Sequence, residues 1–424
     1  MRIVHIGLGN FFRAHQAWYT EHAPDADRWG IAAFGGRGGH LAATLSEQDC
    51  LYTLRIAGEP TRHEVISSIS HAHTARAGDQ WRMYLRSPQL AVVTLTVTEA
   101  ASALTPGGQV DLNHEDLRND IERLRAGSQP RTVPGRLADG LRARQAADGR
   151  PLAVVSCDNL AGNGARAKQV VTAVADAVDP ALSRWIAANI SWVSTVVDRI
   201  TPATTADDID AVTTESRRQD DVPVVTEAFT EWVLAGDFPA GRPEWDEVGA
   251  QFVEDTTPFE NRKLWMLNGA HSLLAYAGGI RGHDTVAQAF DDPILQGWVD
   301  QWWDEVATHL ALPPTEMTRY RAALRTRFSN QHIKHRLAQI AADGSQKLPP
   351  RIVPVARAER HAGRLPHGAA RVPCRLVMPP ARRRRAHARP RHRPTDPGKL
   401  RHHPGRRTNR PFATSTATWQ RTPT

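Results

Sequence analysis

The chain opens with a short apolar strand, a glycine turn and a helix, and this order constrains its fold more than any other feature. Arg2–Ile6 predict the strand, and the turn reads Gly7-Leu-Gly9-Asn10-Phe11-Phe12-Arg13. Glycines there permit a tight turn and the close approach of a pyrophosphate, whose charge a helix N-terminus favours. Phe12 replaces the usual third glycine, and two glycines also serve plain steric needs. The turn predicts dinucleotide binding at Gly7, Gly9, Asn10, Phe11 and Arg13.

Strand-like runs alternate with helical runs up to about residue 250. The further predicted strands are Ile31–Phe34, Leu90–Val97, Ala153–Ser156 and Val193–Val197, with a helix at Ala165–Ala177. Such alternation indicates an α/β fold with a parallel sheet. Beyond Phe252 the pattern is mainly helical, with predicted helices at Asn261–Tyr276, Ile294–His309, Glu316–Arg327 and Gln331–Ala342. We expect domains at 1–250 and 251–370.

The end of the second strand bears on the choice of dinucleotide. An acidic residue there usually binds the ribose 2′-hydroxyl of NAD. Here the chain reads Phe34-Gly-Gly-Arg37-Gly-Gly-His40, without an acid. Arg37 could bind the 2′-phosphate of NADP, or it could be a solvated loop residue. NAD and NADP both remain open.

An amine, an amide and an imidazole share one stretch of predicted helix. Asn268 and His271 are three residues apart, and Lys263 lies within about 140° of both on a helical wheel. Hydride transfer at an alcohol needs a base for the hydroxyl proton and donors for the developing alkoxide. A buried lysine can be that base. Spacing alone favours a simpler interpretation, in which the lysine snorkels to solvent and the histidine is a core residue.

Polar residues also follow two of the predicted strands. Asn159 comes after Ala153–Ser156, and Asp198 comes after Val193–Val197. Ligands of open parallel sheets bind beyond these strand ends, although Asn and Asp also favour turns and caps. The three cysteines are scattered and no metal-binding motif is present, so we predict no metal site.

Together these segments resemble the mannitol dehydrogenase family of polyol-specific long-chain dehydrogenases. The matching strings cover about residues 1–370 and include IVHIGLGNFFRAHQA, VVSCDNLAGNG, VDRITPATT, FVEDTTPFENRKLWMLNGAHSLLAYAG and DGSQKLPPRI. The resemblance implies a Rossmann-type domain followed by a mainly helical domain with the active site between them. It also implies metal-independent hydride transfer to or from NAD or NADP.

The resemblance also assigns roles to residues. Lys263 matches the family's general acid/base, and Asn159 and Asn268 match the amides that hold the reacting oxygen. His271 matches a histidine that positions the substrate. Asp198 matches an aspartate near the site, and Glu260 matches a glutamate linked to proton exchange with solvent.

The expected substrate is a sugar acid or a polyol. LNGAHSLLAYAG and DGSQKLPP are most like the fructuronate reductase branch, which implies reduction of D-fructuronate to D-mannonate. A substrate carboxylate would suit Arg336 and Lys347. Mannitol 2-dehydrogenase is the first alternative activity, and mannitol-1-phosphate dehydrogenase is the second.

The family pattern stops after Ala370. Residues 371–424 hold 14 Arg, 1 Lys and 1 Asp, whereas residues 1–370 hold 38 basic and 44 acidic residues. Such an Arg/Pro-rich tail is predicted to be disordered. Its abrupt start is typical of a reading-frame shift, which would leave the helical domain truncated and its activity in doubt. The alternative is a basic tail that binds nucleic acid.

The chain lacks a long apolar run and a leader-like N-terminus. We therefore expect no membrane span and a cytoplasmic location. We also expect a monomer.

Overall fold

The computed structural model describes residues 1–36, 39–96, 104–105, 108–333 and 335–372. These residues belong to one compact unit. The predictions for Arg37 and for the tail beyond residue 372 lie outside the described residues.

The described strands form two sheets. In chain order the strands are β1 (Ile3–Ile6), β2 (Ile31–Phe34), β3 (Tyr52–Ala57), β4 (Arg62–Ile66), β5 (Ile69–His73), β6 (Val92–Leu95), β7 (Leu152–Ser156), β8 (Ile190–Asp198), β9 (Val224–Glu227), β10 (Glu231–Ala235) and β11 (Gln251–Phe252). The larger sheet has the order β11-β10-β8-β7-β6-β1-β2-β5, and the smaller has the order β4-β3-β9.

The centre of the larger sheet is parallel. β1 lies between β2 and β6, and β6, β7 and β8 follow in parallel register. The chain therefore crosses from one side of β1 to the other, which makes the end of β1 a switch point of the kind where ligands bind. One edge of the sheet departs from parallel pairing, because β10 pairs antiparallel with β8. The smaller sheet was not predicted.

Helices cover the larger sheet and account for most of the described residues after 256. The helices before that point are Asn10–Ala14, Gln16–His22, His40–Glu47, Gly78–Arg86, Glu115–Arg125, Val133–Gln145, Asn163–Val178, Pro180–Asn189 and Ala206–Ser216. Those after it are Thr257–Arg262, Ala270–Ile280, Val286–Phe290, Pro293–Ala307, Pro314–Phe328, Leu337–Ala341, Gly344–His361 and His367–Ala370. A π-helical turn occupies Lys263–Gly269.

Two predicted helices need correction. The run Asn261–Tyr276 is divided by the π-helical turn. Among the described residues of the run Gln331–Ala342, the helix is limited to Leu337–Ala341. The backbone just before Leu337 forms hydrogen bonds with another segment instead of within a helix. The carbonyl of His335 accepts from the Val286 N–H at 3.0 Å, and Arg336 pairs with Thr285.

Apolar side chains are buried on both faces of the sheet and inside the helical region. Phe12 and Trp232 belong to the cluster on one face, and Trp81 and Leu141 belong to the cluster on the other. Trp302, Trp303 and Phe328 lie in the cluster of the helical region. The fold class predicted from the sequence is confirmed: a Rossmann-type parallel sheet followed by a mainly helical region. In the described part of the chain, no helix is long and apolar enough to cross a membrane.

Candidate active site

The carboxyl ends of β1, β6, β7 and β8 lie along one edge of the sheet, because these strands are parallel. Asn163 fixes the turn after β7 against β8. Its side-chain amide donates to the carbonyls of Asp158 at 3.0 Å and Thr195 at 2.9 Å, and its Oδ1 accepts from the Thr195 N–H at 2.9 Å. Gly164 is needed beside it, since a Cβ there would lie 2.7 Å from the Ser194 nitrogen.

Lys263 reaches this edge from the helical region. Its Nζ donates to Asn159 Oδ1 and to the carbonyl of Val197, each at 2.5 Å. These contacts join the loop after β7, the end of β8 and the π-helical turn. A cavity of about 50 Å³ lies at the same place, and its lining includes four of the predicted catalytic side chains: Asn159, Glu260, Lys263 and Asn268.

The π-helical turn changes the helical wheel on which the sequence argument depended. In an α-helix, Lys263 and Asn268 would lie about 140° apart. Hydrogen bonds from i to i+5 widen the turn, so residues five apart come closer to one side. Both residues line the cavity as a result. A local shift of the backbone hydrogen bonds from i+4 to i+5 does not change the spacing of apolar residues along the sequence, so the sequence did not reveal the π-helical turn.

The electrostatic surroundings of Lys263 favour a reactive amine. Burial lowers the pKa of Lys263 below its ordinary value, Asp198 opposes this shift and Arg327 adds to it. A lowered pKa brings the neutral amine closer to the working pH of an enzyme. The group can therefore both give and take a proton.

Asp198 belongs to a buried charge network. Arg327 donates to both of its carboxylate oxygens, at 2.7 and 2.9 Å, and also to Glu227 at 2.8 and 2.9 Å. Burial alone would raise the pKa of Asp198, but the charge and hydrogen bonds of Arg327 hold it below its ordinary value. Burial raises the pKa of Glu227 in spite of Arg327. Two carboxylates thus compete for one guanidinium.

His271 lies one turn beyond Asn268 and is buried. Its ring packs 4.8 Å from the Phe328 ring and 5.0 Å from the His335 ring. Burial, with the positive field of neighbours, holds the pKa of His271 well below its ordinary value, so the imidazole is neutral. Its Nε2 has no hydrogen-bond partner among the described residues. That nitrogen is buried, and His271 is not among the residues that line the cavity.

Glu260 sits at the rim of the cavity on the helix before Lys263. Its carboxylate accepts from the Gly162 N–H at 3.1 Å and from the Thr256 hydroxyl at 2.9 Å. Gly162 adopts a left-handed conformation, with φ of 61°, at the start of the following helix. Glu260 therefore contacts the turn after β7 as well as the cavity.

The glycine turn lies at the end of β1, beside β2. Gly7 has φ of 116°, which favours glycine, and its N–H donates to the carbonyl of Phe34 at 3.0 Å. Asn10 links this turn to the loop after β8, because its amide donates to Thr204 Oγ1 at 3.0 Å. Gly9 precedes the short helix, and Phe11 stacks on His15 at 5.1 Å between ring centroids.

Arg13 has a different setting from the one that the glycine motif suggests. Its guanidinium is buried, donates to Asn10 Oδ1 at 2.7 Å and also bonds the carbonyl of Val222. The Arg13 guanidinium therefore bonds to groups inside the protein.

Of the two residues predicted to bind a substrate carboxylate, one belongs to a helix that packs on the π-helical turn. Lys347 belongs to the helix Gly344–His361, which packs on that turn. Arg336 is exposed, and its backbone pairs with Thr285. Sequence reasoning missed Arg351, one helical turn after Lys347, which donates to Ser272 Oγ at 3.1 Å and the Asn268 carbonyl at 3.5 Å. The four-residue spacing from Lys347 was the available signal.

No group of three His, Cys, Asp or Glu side chains that could hold a metal ion occurs among the residues described. The metal independence of the chemistry stays a prediction. The predicted catalytic and binding roles likewise stay predictions, although the structure brings Asn159, Lys263 and Asn268 together.

Residues 1–247 match the family described as the mannitol dehydrogenase Rossmann domain, and residues 255–371 match the mannitol dehydrogenase C-terminal domain. The D-mannonate oxidoreductase of Escherichia coli (strain K12) is 40% identical over 83% of this chain and 74% of its own length.

Two solved structures are also similar. A substrate-free D-sorbitol dehydrogenase has a TM-score of 0.80 and 32% identity, over 86% of this chain and 77% of that one. The Pseudomonas fluorescens mannitol 2-dehydrogenase, in a ternary complex with NAD and D-mannitol, has a TM-score of 0.79 and 35% identity. That match covers 87% of this chain and 77% of the other.

Proposed function

The chain belongs to the mannitol dehydrogenase family, and from that premise we propose that it reduces D-fructuronate to D-mannonate and catalyses the reverse oxidation. It is an oxidoreductase that acts on CH–OH groups with NAD or NADP. The observation that carries the proposal is the contact of Lys263 with Asn159 at 2.5 Å, at the strand edge where ligands of such sheets bind.

The glycine turn fits a dinucleotide. It lies at the switch point of the sheet, and the left-handed Gly7 leaves the backbone free of a side chain there. Gly7 and Gly9 would hold the pyrophosphate, with Asn10 and Phe11 beside it. Arg13 would support the turn from behind through Asn10. When bound, the nicotinamide accepts or donates the hydride.

Lys263 moves the proton of the reacting hydroxyl. During oxidation the neutral amine accepts this proton, and during reduction the ammonium returns it to the carbonyl oxygen. Asn159 and Asn268 line the same cavity, and their amide N–H groups would steady the negative charge that develops on that oxygen. Because the amides are held by the fold, they need little reorganisation during the reaction.

Three further side chains complete the site. Neutral His271 offers its unpartnered Nε2 to a substrate hydroxyl. Ionised Asp198 supports the protonated state of Lys263, since their opposite charges attract. Glu260 lines the cavity and would exchange protons between Lys263 and solvent.

The preference for a sugar acid rests on cations near the π-helical turn. Arg351 and Lys347 lie four residues apart on one helix, so their side chains share one face. Burial lowers the pKa of Arg351, but a guanidinium remains protonated in ordinary conditions. A carboxylate would pair with these groups, whereas a neutral polyol would leave Arg351 partly buried without an anion.

The test is the turnover of D-fructuronate, fructose and mannitol by the purified chain with each nicotinamide coenzyme. We expect kcat/KM to be highest for D-fructuronate. Similarity to mannitol 2-dehydrogenase makes mannitol and fructose the alternative substrates. Faster turnover of fructose or mannitol than of D-fructuronate would replace the proposal with that alternative.

A further inference from the structure

Two adjacent tryptophans contact the π-helical turn that carries Lys263 and Asn268. Trp302 and Trp303 lie on the helix Pro293–Ala307, and both are fully buried. The indole N–H of Trp302 donates to the carbonyl of Trp265 at 2.9 Å, and that of Trp303 donates to the carbonyl of Met266 at 3.0 Å. Both acceptors are backbone groups inside the turn.

Those carbonyls lie where the hydrogen-bond ladder changes. The N–H of Lys263, where the turn begins, donates to Phe259, four residues back, and the N–H of Ala270, just after the turn ends, donates to Met266, also four residues back. The wider π-helical spacing is therefore confined to this one turn, and such turns are rare within α-helices. The two indole N–H groups give hydrogen-bond donors to two carbonyls of this turn from a neighbouring helix.

Gly269 makes this contact possible. A Cβ at this position would lie 2.7 Å from Nε1 of Trp302, which is closer than such atoms approach. Because Gly269, the last residue of the turn, has no side chain, the indole of Trp302 can come close enough to bond the backbone. A plain packing contact between two helices does not require this combination of a glycine and two aimed donors.

We propose that Trp302 and Trp303 are positioning residues, whose indole N–H groups hold the π-helical turn and thereby keep Lys263 and Asn268 on one side. The inference rests on the proposed role of Lys263. Without these donors the turn relaxes towards an ordinary α-helix, in which Lys263 and Asn268 diverge by about 140°. Lys263 then loses its contact with Asn159, and its amine becomes less buried, so that its pKa is lowered less.

The test replaces each indole singly, as Trp302→Phe and Trp303→Phe. Trp232→Phe is the control, because Trp232 is also fully buried but its indole N–H has no partner among the described residues. A third variant carries 3-benzothienylalanine at position 302, which keeps the shape of the ring and removes only the donor. This variant covers the case in which a phenylalanine leaves too large a cavity for folding.

Two measurements are made on each folded variant. The first is kcat and KM with the substrate that the intact chain turns over. The second is the pH midpoint of acetic anhydride labelling at Lys263, followed by mass spectrometry. The chain has five lysines, so the labelled peptide is easily assigned. Labelling needs no substrate, so it reports on positioning even if the proposed activity is absent.

We expect each donor-free variant to lose about tenfold in kcat with a smaller change in KM, because the misalignment concerns the reacting oxygen. The labelling midpoint of Lys263 should rise by about half a pH unit or more. Trp232→Phe should change neither quantity. Unchanged kcat and labelling in the benzothienylalanine variant would overturn the inference. Shifted labelling in a chain without dehydrogenase activity would support it while refuting the proposed function.

Discussion

Arg327 forms a two-pronged ion pair with Asp198, in which Nη1 and Nη2 donate to Oδ2 and Oδ1 at 2.7 and 2.9 Å. The carbonyl of Val197, the residue before Asp198, accepts from Lys263. Arg327 also pairs with Glu227. The charge balance around the proposed acid/base is therefore set by residues that do not touch the cavity.

Removing one member of this pair should move the pKa of Lys263 in a direction that depends on the charge removed. Asp198→Asn deletes a negative charge and lowers this pKa further, whereas Arg327→Met deletes a positive charge and raises it. The pH dependence of kcat/KM for alcohol oxidation measures the shift. The rising limb of this pH profile should move to lower pH in Asp198→Asn and to higher pH in Arg327→Met. Movement in the same direction would contradict this account.

The ion pair should also matter for stability. Arg327→Met leaves two buried carboxylates without their cation, at a cost of about 3–5 kcal/mol in the free energy of unfolding. Asp304→Asn removes the partner of a surface pair, Arg321–Asp304, and should cost less than about 1 kcal/mol. Urea unfolding compares them. Because the pKa of Asp198 is lowered, its contribution is present above the ordinary aspartate pKa and is lost as the pH falls through the lowered value.

The two directions of the reaction should respond oppositely to pH. Oxidation needs neutral Lys263, so kcat/KM should rise as the pH rises through its lowered pKa. Reduction needs the protonated form, so kcat/KM should fall over the same range. Initial rates in both directions across one pH series check this prediction. A rise in both directions would exclude Lys263 as the group that transfers the proton.

Arg351 should distinguish a sugar acid from a neutral sugar. Arg351→Gln removes a charged partner of the carboxylate, and kcat/KM for D-fructuronate should fall about 10- to 100-fold. Turnover of fructose should change much less. Arg357→Gln, at an exposed position on the same helix, is the matched control. Equal losses for both substrates would indicate that Arg351 supports the fold of the site rather than binding the carboxylate.

Gly7 should be needed for coenzyme binding. An alanine at its φ of 116° is strained by about 1–3 kcal/mol, and its Cβ would stand in the turn. We expect the Kd of the reduced coenzyme, measured by fluorescence titration, to rise about tenfold or more. Gly297→Ala, in open space on a helix, should leave the Kd unchanged. An unaffected Kd in Gly7→Ala would place the coenzyme elsewhere.

Local pattern was enough to predict the parts of the fold that depend on it. The expected strands are present before Gly7 and before Asn159, and the third one extends through Asp198, which is its last residue. Their parallel pairing explains why polar residues that are distant in sequence meet at one edge. The resemblance to a family then joined Lys263 to them, which spacing alone did not do.

Two kinds of feature could not be predicted: contacts between residues that are far apart in sequence, and the local shift of backbone hydrogen bonds that makes the π-helical turn. Arg327 is 129 residues from Asp198, and neither residue carries a local signal for the other. The π-helical turn leaves the apolar pattern unchanged. Arg336 is a predicted partner of a substrate carboxylate because of its charge, but in the structure its side chain is exposed and its backbone pairs with Thr285. The domain division near residue 250, the monomeric state and the cytoplasmic location remain predictions.

The central claim is that Lys263 transfers a proton during hydride transfer to a sugar acid. The most direct measurement follows the absorbance of reduced coenzyme with D-fructuronate, for the intact chain and for Lys263→Met. We predict that the intact chain oxidises the coenzyme and that kcat falls about 10²- to 10⁴-fold in the variant, with coenzyme affinity unchanged. A Lys263→Met variant that turns over D-fructuronate as fast as the intact chain would contradict the account.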